Sequence, residues 1–266
     1  MIQTETMPVA MAQSAAKRFK QANMSEPHPL HPRANEVIEY VREVQQADFA
    51  LGSALDAVGD GRLPLSERAV LLRKRASADA AISRQALLAG RRMGSAREES
   101  LEILNGIFKL GSAPQTALNG RYRGQLVTTT FYGPLDSYMR LLARLWMPWK
   151  GKRFIAESAS GDNFLTTSTL VLGRLFWPTF SDYEPFKEGL YTGFDFKTYV
   201  GQGVEDPEVS TLKLDYDNPA NPKFLIRTVL DELVQVSGNY YLGKAFLIRP
   251  GGRYRLAAFF ALQKES

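Results

Sequence analysis

From about Gly189 to Gln263 the chain is a succession of short strand-like segments separated by turn residues. That alternation limits the fold more than any other feature. Leu190–Val200, Thr211–Tyr216, Phe224–Val236, Tyr240–Ile248 and Arg253–Leu262 are rich in aromatic and β-branched residues, which suit a pleated, half-buried surface. Between them stand Gly201, Gly203, Pro207, Asn218-Pro219, Asn221-Pro222, Ser237-Gly238-Asn239 and Pro250-Gly251-Gly252, residues that supply fixed or positive φ. Connections this short make neighbouring strands antiparallel, because a parallel pair needs a crossover of about a dozen residues or more. The expected architecture is an antiparallel meander, closed or nearly closed into a barrel.

Upstream the pattern changes to helical periodicity. Asn35 is placed to cap a helix running to Val58, with Val37, Val41, Val44, Leu51 and Leu55 at roughly helical spacing and Gly59 ending it. Ser66 is placed to cap a second helix, to about Ala89. A third follows the capping box Ser95-Ala-Arg-Glu98, with Gly111 just past its end. Ser112-Ala-Pro114 is a natural seam. Beyond it, Leu118–Thr130 reads as the first strand, Leu135–Met147 as an inserted helix and Trp149–Phe154 as a second strand. Asn163–Phe180 admits one strand or two. The class is α+β, with seven to nine strands. The expected layout is a disordered leader over 1–32, a helical region over 33–112 and a barrel domain over 113–266.

Absent residue types exclude much chemistry. There is no cysteine, so disulfides, thiolate metal sites and cysteine nucleophiles are ruled out. The two histidines, His28 and His31, lie in the Pro-rich segment Glu26–Arg33, outside the segments with globular patterning. A Ser-His-Asp triad or His-ligated metal in the folded part is therefore not expected. No cofactor, metal or catalytic residue is assigned. No basic segment followed by an apolar core opens the chain, and no apolar run approaches the ~18–20 residues of a membrane span. A cytoplasmic protein is the expectation. Nucleic acid is not expected as a partner, because the aromatics alternate inward on strands while the basic cluster sits on helices.

Two segments carry a family resemblance. Gly120-Arg-Tyr-Arg-Gly124 precedes Trp149-Lys-Gly-Lys-Arg-Phe154. The pairing resembles lipocalin-like (calycin) barrels, which place a Gly-x-Trp motif on their first strand. It is also similar to uncharacterised bacterial proteins named for a G-x-W-x-G motif that comes just before a W-x-G-K-x-F segment. Tyr122 stands where that pattern has tryptophan, whereas Trp149, Gly151, Lys152 and Phe154 fit the second segment. The stretch from Asp215 to Lys244 is similar to the end of such proteins and resembles the plastid lipid-associated fibrillins. The resemblance spans roughly residues 118–263. It implies a barrel that holds an apolar molecule of lipid, isoprenoid or tetrapyrrole type, and it implies no catalytic residue.

On that basis Tyr122, Trp149, Phe194, Phe196, Tyr241 and Phe246 are expected to border the cavity or its mouth, and Arg227 to hold the polar end of the ligand. Phe246 fits least well, because an odd interval separates it from Tyr241 and only a bulge would put both on one face. Asp231-Glu232 also stands out, interrupting the apolar pairs Val229-Leu230 and Leu233-Val234. Arg227 and Asp231 are an even interval apart and share a face if no bulge intervenes.

A membrane surface is a further expected partner. Arg140, Arg144, Trp146, Lys150 and Lys152 form a basic and aromatic group around the inserted helix, the composition that suits an interface. Between Arg62 and Arg97, nine basic residues stand against Glu67 and Asp79 alone, a face that could meet anionic lipid or an acidic partner or simply be solvated. Three readings stay open: a carrier or sensor of an apolar molecule, an isomerase- or cyclase-type enzyme on such a molecule, and a membrane-associated interaction protein.

Overall fold

The computed structural model describes residues 31–130, 149–167, 180, 183–187 and 189–265. Among the described residues three helices come first: α1 (Pro32–Gly59), α2 (Leu65–Arg91) and α3 (Arg97–Leu110). Each begins earlier or later than its expected cap. α1 starts at Pro32, whose fixed φ and missing N–H suit a first turn. α2 starts at Leu65 behind Pro64, and α3 starts behind Ala96; neither cap makes a side-chain bond to the helix.

Nine strands follow among the described residues: β1 (Gly120–Thr129), β2 (Trp149–Ile155), β3 (Ser160–Thr166), β4 (Glu184–Lys187), β5 (Leu190–Gln202), β6 (Ser210–Asp215), β7 (Val229–Gln235), β8 (Tyr241–Arg249) and β9 (Arg253–Lys264). Their order is β3-β2-β1-β9-β8-β7-β6-β5-β4, every pairing is antiparallel, and a β3–β5 pairing closes the ring. Eight strands thus form a closed barrel, and β4 adds a short ninth strand to an edge of β5. The α+β architecture expected from the sequence is present. An eight-stranded barrel has an interior just wide enough to be filled by side chains or to hold one small ligand.

Alternation along the strands separates two cores. On β7–β9, Leu233, Tyr241, Phe260 and Leu262 point into the lumen with Tyr122, Phe154, Phe196 and Leu214. Their neighbours Val234, Leu242, Phe259 and Ala261 point outward and bury Val41, Ile82, Leu104, Ile107 and Phe108 of the helices. The helices therefore share a core with the barrel wall. Polar contacts complete the docking. Gln45 Nε2 donates to the Leu110 and Val236 carbonyls at 2.8 Å each. Asp48 accepts the Gly238 N–H at 2.7 Å and pairs with Arg75 at 3.1 Å, while Asp79 accepts the Ser237 hydroxyl at 2.5 Å. Helices α1 and α2 hold the β7–β8 turn between them.

The segment Phe224–Val236, which reads as one strand, is broken. Leu225 has φ +68°, and a 3₁₀ turn over Ile226–Thr228 precedes β7. The Thr228 N–H and hydroxyl both return to the Leu225 carbonyl, at 3.0 and 2.7 Å, closing that turn locally. Of Asn163–Phe180, the first four residues belong to β3; residues 168–179 lie outside the described set, as does the helix expected over Leu135–Met147.

Candidate functional site

The site lies in the lumen, and the two glycine-flanked motifs build it. On β1, Tyr122 faces inward, edge-on to Phe154 at 5.1 Å and to Tyr241 at 5.5 Å. Gly124 leaves β1 bare where the Trp149 ring lies; a Cβ there would intrude on the ring. At Gly151 the backbones of β1 and β2 come so close that a Cβ would collide with the Tyr122 carbonyl, and its φ of +148° is one that glycine readily adopts. Here the β2–β3 register shifts by one residue between Trp149 and Gly151. The bulge has one consequence that matters: Trp149 and Lys152, an odd interval apart, both point into the barrel.

Lys152 is 3% exposed. Its ammonium donates to Asp231 Oδ2 at 2.9 Å, to Asn163 Oδ1 at 3.0 Å and to the Tyr216 hydroxyl, using all three N–H groups. Four rings surround it at 5.1–5.3 Å from their centroids: Trp149, Phe196, Tyr216 and Phe260. Their π faces favour a cation. Burial nevertheless pulls the Lys152 pKa below the usual lysine range, with the charge and hydrogen bond of Asp231 opposing it. Tyr216 is pushed well above the usual tyrosine range, first by burial and then by the Asp231 charge, so it stays a neutral hydroxyl.

Asn163 ties the group together. Its Oδ1 also accepts the Trp149 indole N–H at 3.0 Å, and its Nδ2 donates to the Phe194 carbonyl at 2.9 Å and to Tyr216 at 3.2 Å. Phe194 has φ +59° at a point where the β3–β5 register slips. A bulky aromatic in the left-handed region is an outlier that costs of order 1–3 kcal/mol and tends to occur where a site needs it. Phe180 stacks on Phe194 at 5.3 Å, and Tyr183 meets it edge-on.

Of the residues expected to border a cavity, Tyr122, Trp149, Phe194, Phe196 and Tyr241 face the lumen. Phe246 does not. It pairs with Leu230, next to the inward Asp231, so it lies on the outer face, buried and edge-on to Tyr254. Arg227 lies outside the lumen, in the 3₁₀ turn, with Nε and Nη2 on Asp217 Oδ1 at 2.8 and 2.6 Å. Because β7 begins only at Val229, the even interval to Asp231 carries no face relation. Lys152, expected on a membrane-facing side, points inward because of the Gly151 bulge, whereas Lys150 is exposed. Arg140, Arg144 and Trp146 lie outside the described residues.

The site also contains residues not singled out as site members: Asn163, Tyr216 and Asp231. Asp231 had a signal, since an acidic residue interrupts an apolar strand there. Its neighbour Glu232 points outward to Lys213, as strict alternation requires. Among the described residues no group of three or more acidic or imidazole side chains is placed to hold a metal ion, and no helix is long and apolar enough to cross a membrane.

Compared with protein-family models, curated proteins and solved structures, the chain matches none of them.

Proposed function

We propose that the barrel binds a small, largely apolar molecule whose polar end meets the Lys152–Asp231 pair. The observation that supports this most is the pair itself, an ammonium and a carboxylate 2.9 Å apart inside an aromatic lumen. Taking both charges out of water is costly, and replacing a buried pair with apolar residues of similar volume is often neutral or stabilising, by up to about 1–4 kcal/mol. The lumen already has aromatic filling on all sides, so stability alone does not call for charges there. The left-handed Phe194 beside Asn163 adds a second local cost at the same place. The lipocalin-like motif pair supports the same reading, because Gly124, Trp149, Gly151, Lys152 and Phe154 converge on this one spot.

The test compares the purified wild-type protein with Lys152→Met, which keeps the apolar stem and removes the charge. Protein taken from its own host is expected to carry a co-purifying apolar molecule in native mass spectrometry. Removing the ammonium unties Asp231, Asn163 and Tyr216, which it holds in place, and a loss of about 1.5–3 kcal/mol should weaken that binding roughly ten- to a hundredfold. Equal affinity in the folded variant would remove Lys152 from the site.

A second reading rests on a separate surface. Helix α2 exposes Arg68, Arg73, Lys74, Arg84 and Arg91 together with Leu65, Val70, Leu72 and Leu88. An open groove of about 480 Å³ runs along it, lined by Ser83, Arg84, Leu87, Leu88 and Arg91 and by Gln263 at the end of β9. Basic and apolar groups mixed on the exposed surface of one helix suit peripheral contact with an anionic membrane from the cytoplasmic side.

A further inference from the structure

The charges and hydrogen bonds in the lumen select among ligand headgroups. Resting on the ligand-binding reading above, we infer that the barrel prefers a neutral headgroup carrying an N–H or O–H donor, such as a primary amide or an alcohol, over a carboxylate or phosphate.

Two independent observations lead there. The first is charge. Among the described lumen residues the acidic and basic side chains that meet are Lys152 and Asp231, an ion pair 2.9 Å apart that leaves neither partner over. The lumen tyrosines Tyr122, Tyr216 and Tyr241 are all pushed upward by burial and stay neutral. An incoming carboxylate would be a second anion beside Asp231 with no cation left over. Arg227, the group that would have favoured an acid, is outside and committed to Asp217.

The second is the donor count. Lys152 has all three N–H groups engaged. The half-buried member of the group is Trp149, whose ring lies over Gly124 and edge-on to Phe260 at 5.7 Å. Its indole N–H donates to Asn163 Oδ1, which also accepts from the Lys152 ammonium. A ligand that displaces the indole takes one bond from Asn163 Oδ1 and leaves the one from Lys152, and a headgroup that carries a donor restores the lost bond. A carboxylate has no donor to give. An amide N–H or an alcohol O–H does, and its oxygen can accept the released indole N–H.

The experiment uses probes with one tail and four heads: myristamide, myristyl alcohol, methyl myristate and myristic acid. Each is titrated into the delipidated full chain at neutral pH. The amide and alcohol are expected to bind at least about tenfold more tightly than the acid, and the ester, which only accepts, to fall below both. In Asp231→Asn the competing carboxylate is gone and Lys152 can take an incoming acid as its partner instead, so the order should reverse toward the acid by about tenfold or more. Wild-type protein that binds the acid as tightly as the amide overturns this inference and leaves the ligand-binding reading standing. Binding of none of the four, on protein shown to be folded, overturns both. If Asp231→Asn does not fold, the wild-type order decides by itself.

Discussion

Gly151 decides where the neighbouring Lys152 points. Strict strand alternation from Trp149 sends Lys152 to the outside, and the sequence reads that way, as part of a basic surface. The bulge at Gly151 reverses this, and a bulge is not visible in a pattern of apolar and polar residues. Tyr122 was legible because no irregularity separates it from the alternation of its strand. Asn163 carried no signal, since its role depends on which strand closes the ring. Gly124 gives the clearest test at this scale. Gly124→Ala places a methyl against the Trp149 ring and should cost about 1–3 kcal/mol in urea unfolding. In a Trp149→Ala background the same change should cost almost nothing, and the double-mutant cycle should show the coupling. Equal costs in both backgrounds would mean that the glycine serves the strand and not the tryptophan.

At the scale of elements, strands were legible by their turns and helices by their period, and the boundaries failed where local bonds competed. Residues Phe224–Thr228 have strand composition, yet Leu225 adopts a positive φ and the Thr228 N–H and hydroxyl return to its carbonyl, so the chain turns once before β7 begins. That single turn removes Arg227 from the lumen. Helix α2 is legible for a different reason. Its buried side carries Asp79, Ile82, Ala86 and Ala89, while Arg73, Arg84 and Arg91 are exposed and the helix's one exposed acidic side chain is Glu67. Exposed charge of one sign has a measurable consequence. Vesicles containing an anionic phospholipid should sediment the protein at low salt, and wholly zwitterionic vesicles should not. Each basic residue near such a surface is worth about 1 kcal/mol. Arg73→Glu, Arg84→Glu and Arg91→Glu together should therefore abolish sedimentation. Raised salt should do the same to wild type, since the Debye length shortens to about 3 Å at 1 M. Undiminished binding by the triple variant would clear α2 of any part in it.

For the whole molecule, the helices and the barrel share one core, so they should unfold together. The sequence does hold a trace of this: Ala257-Ala-Phe-Phe-Ala-Leu262 is apolar at successive positions, the mark of a strand covered on both faces. The polar clasp on the β7–β8 turn gives the test. Asp48 is fully buried, accepts the Gly238 N–H and pairs with Arg75, so Asp48→Asn loses a charge-assisted contact and should destabilise the whole protein by about 1.5–3 kcal/mol. Asp79 behaves oppositely. Burial, with Asp48 nearby, raises its pKa above the usual aspartate value of about 4, although Ser237, Asn239 and Arg75 all pull it down. The folded protein therefore holds that proton more tightly than the unfolded chain does. Between the unfolded pKa and the raised folded one, the native state binds more protons, so the Asp79 contribution to stability falls as pH rises through that window. Asparagine keeps an acceptor for the Ser237 hydroxyl and the Asn239 N–H and never ionises. Asp79→Asn should match wild type at low pH and become relatively more stable as pH rises toward neutrality, in a single transition seen alike by far-ultraviolet circular dichroism and tryptophan emission. A variant less stable than wild type at neutral pH would show that the charge on Asp79 holds the clasp. Two separate transitions would show that the helices are not held to the barrel by the core they share.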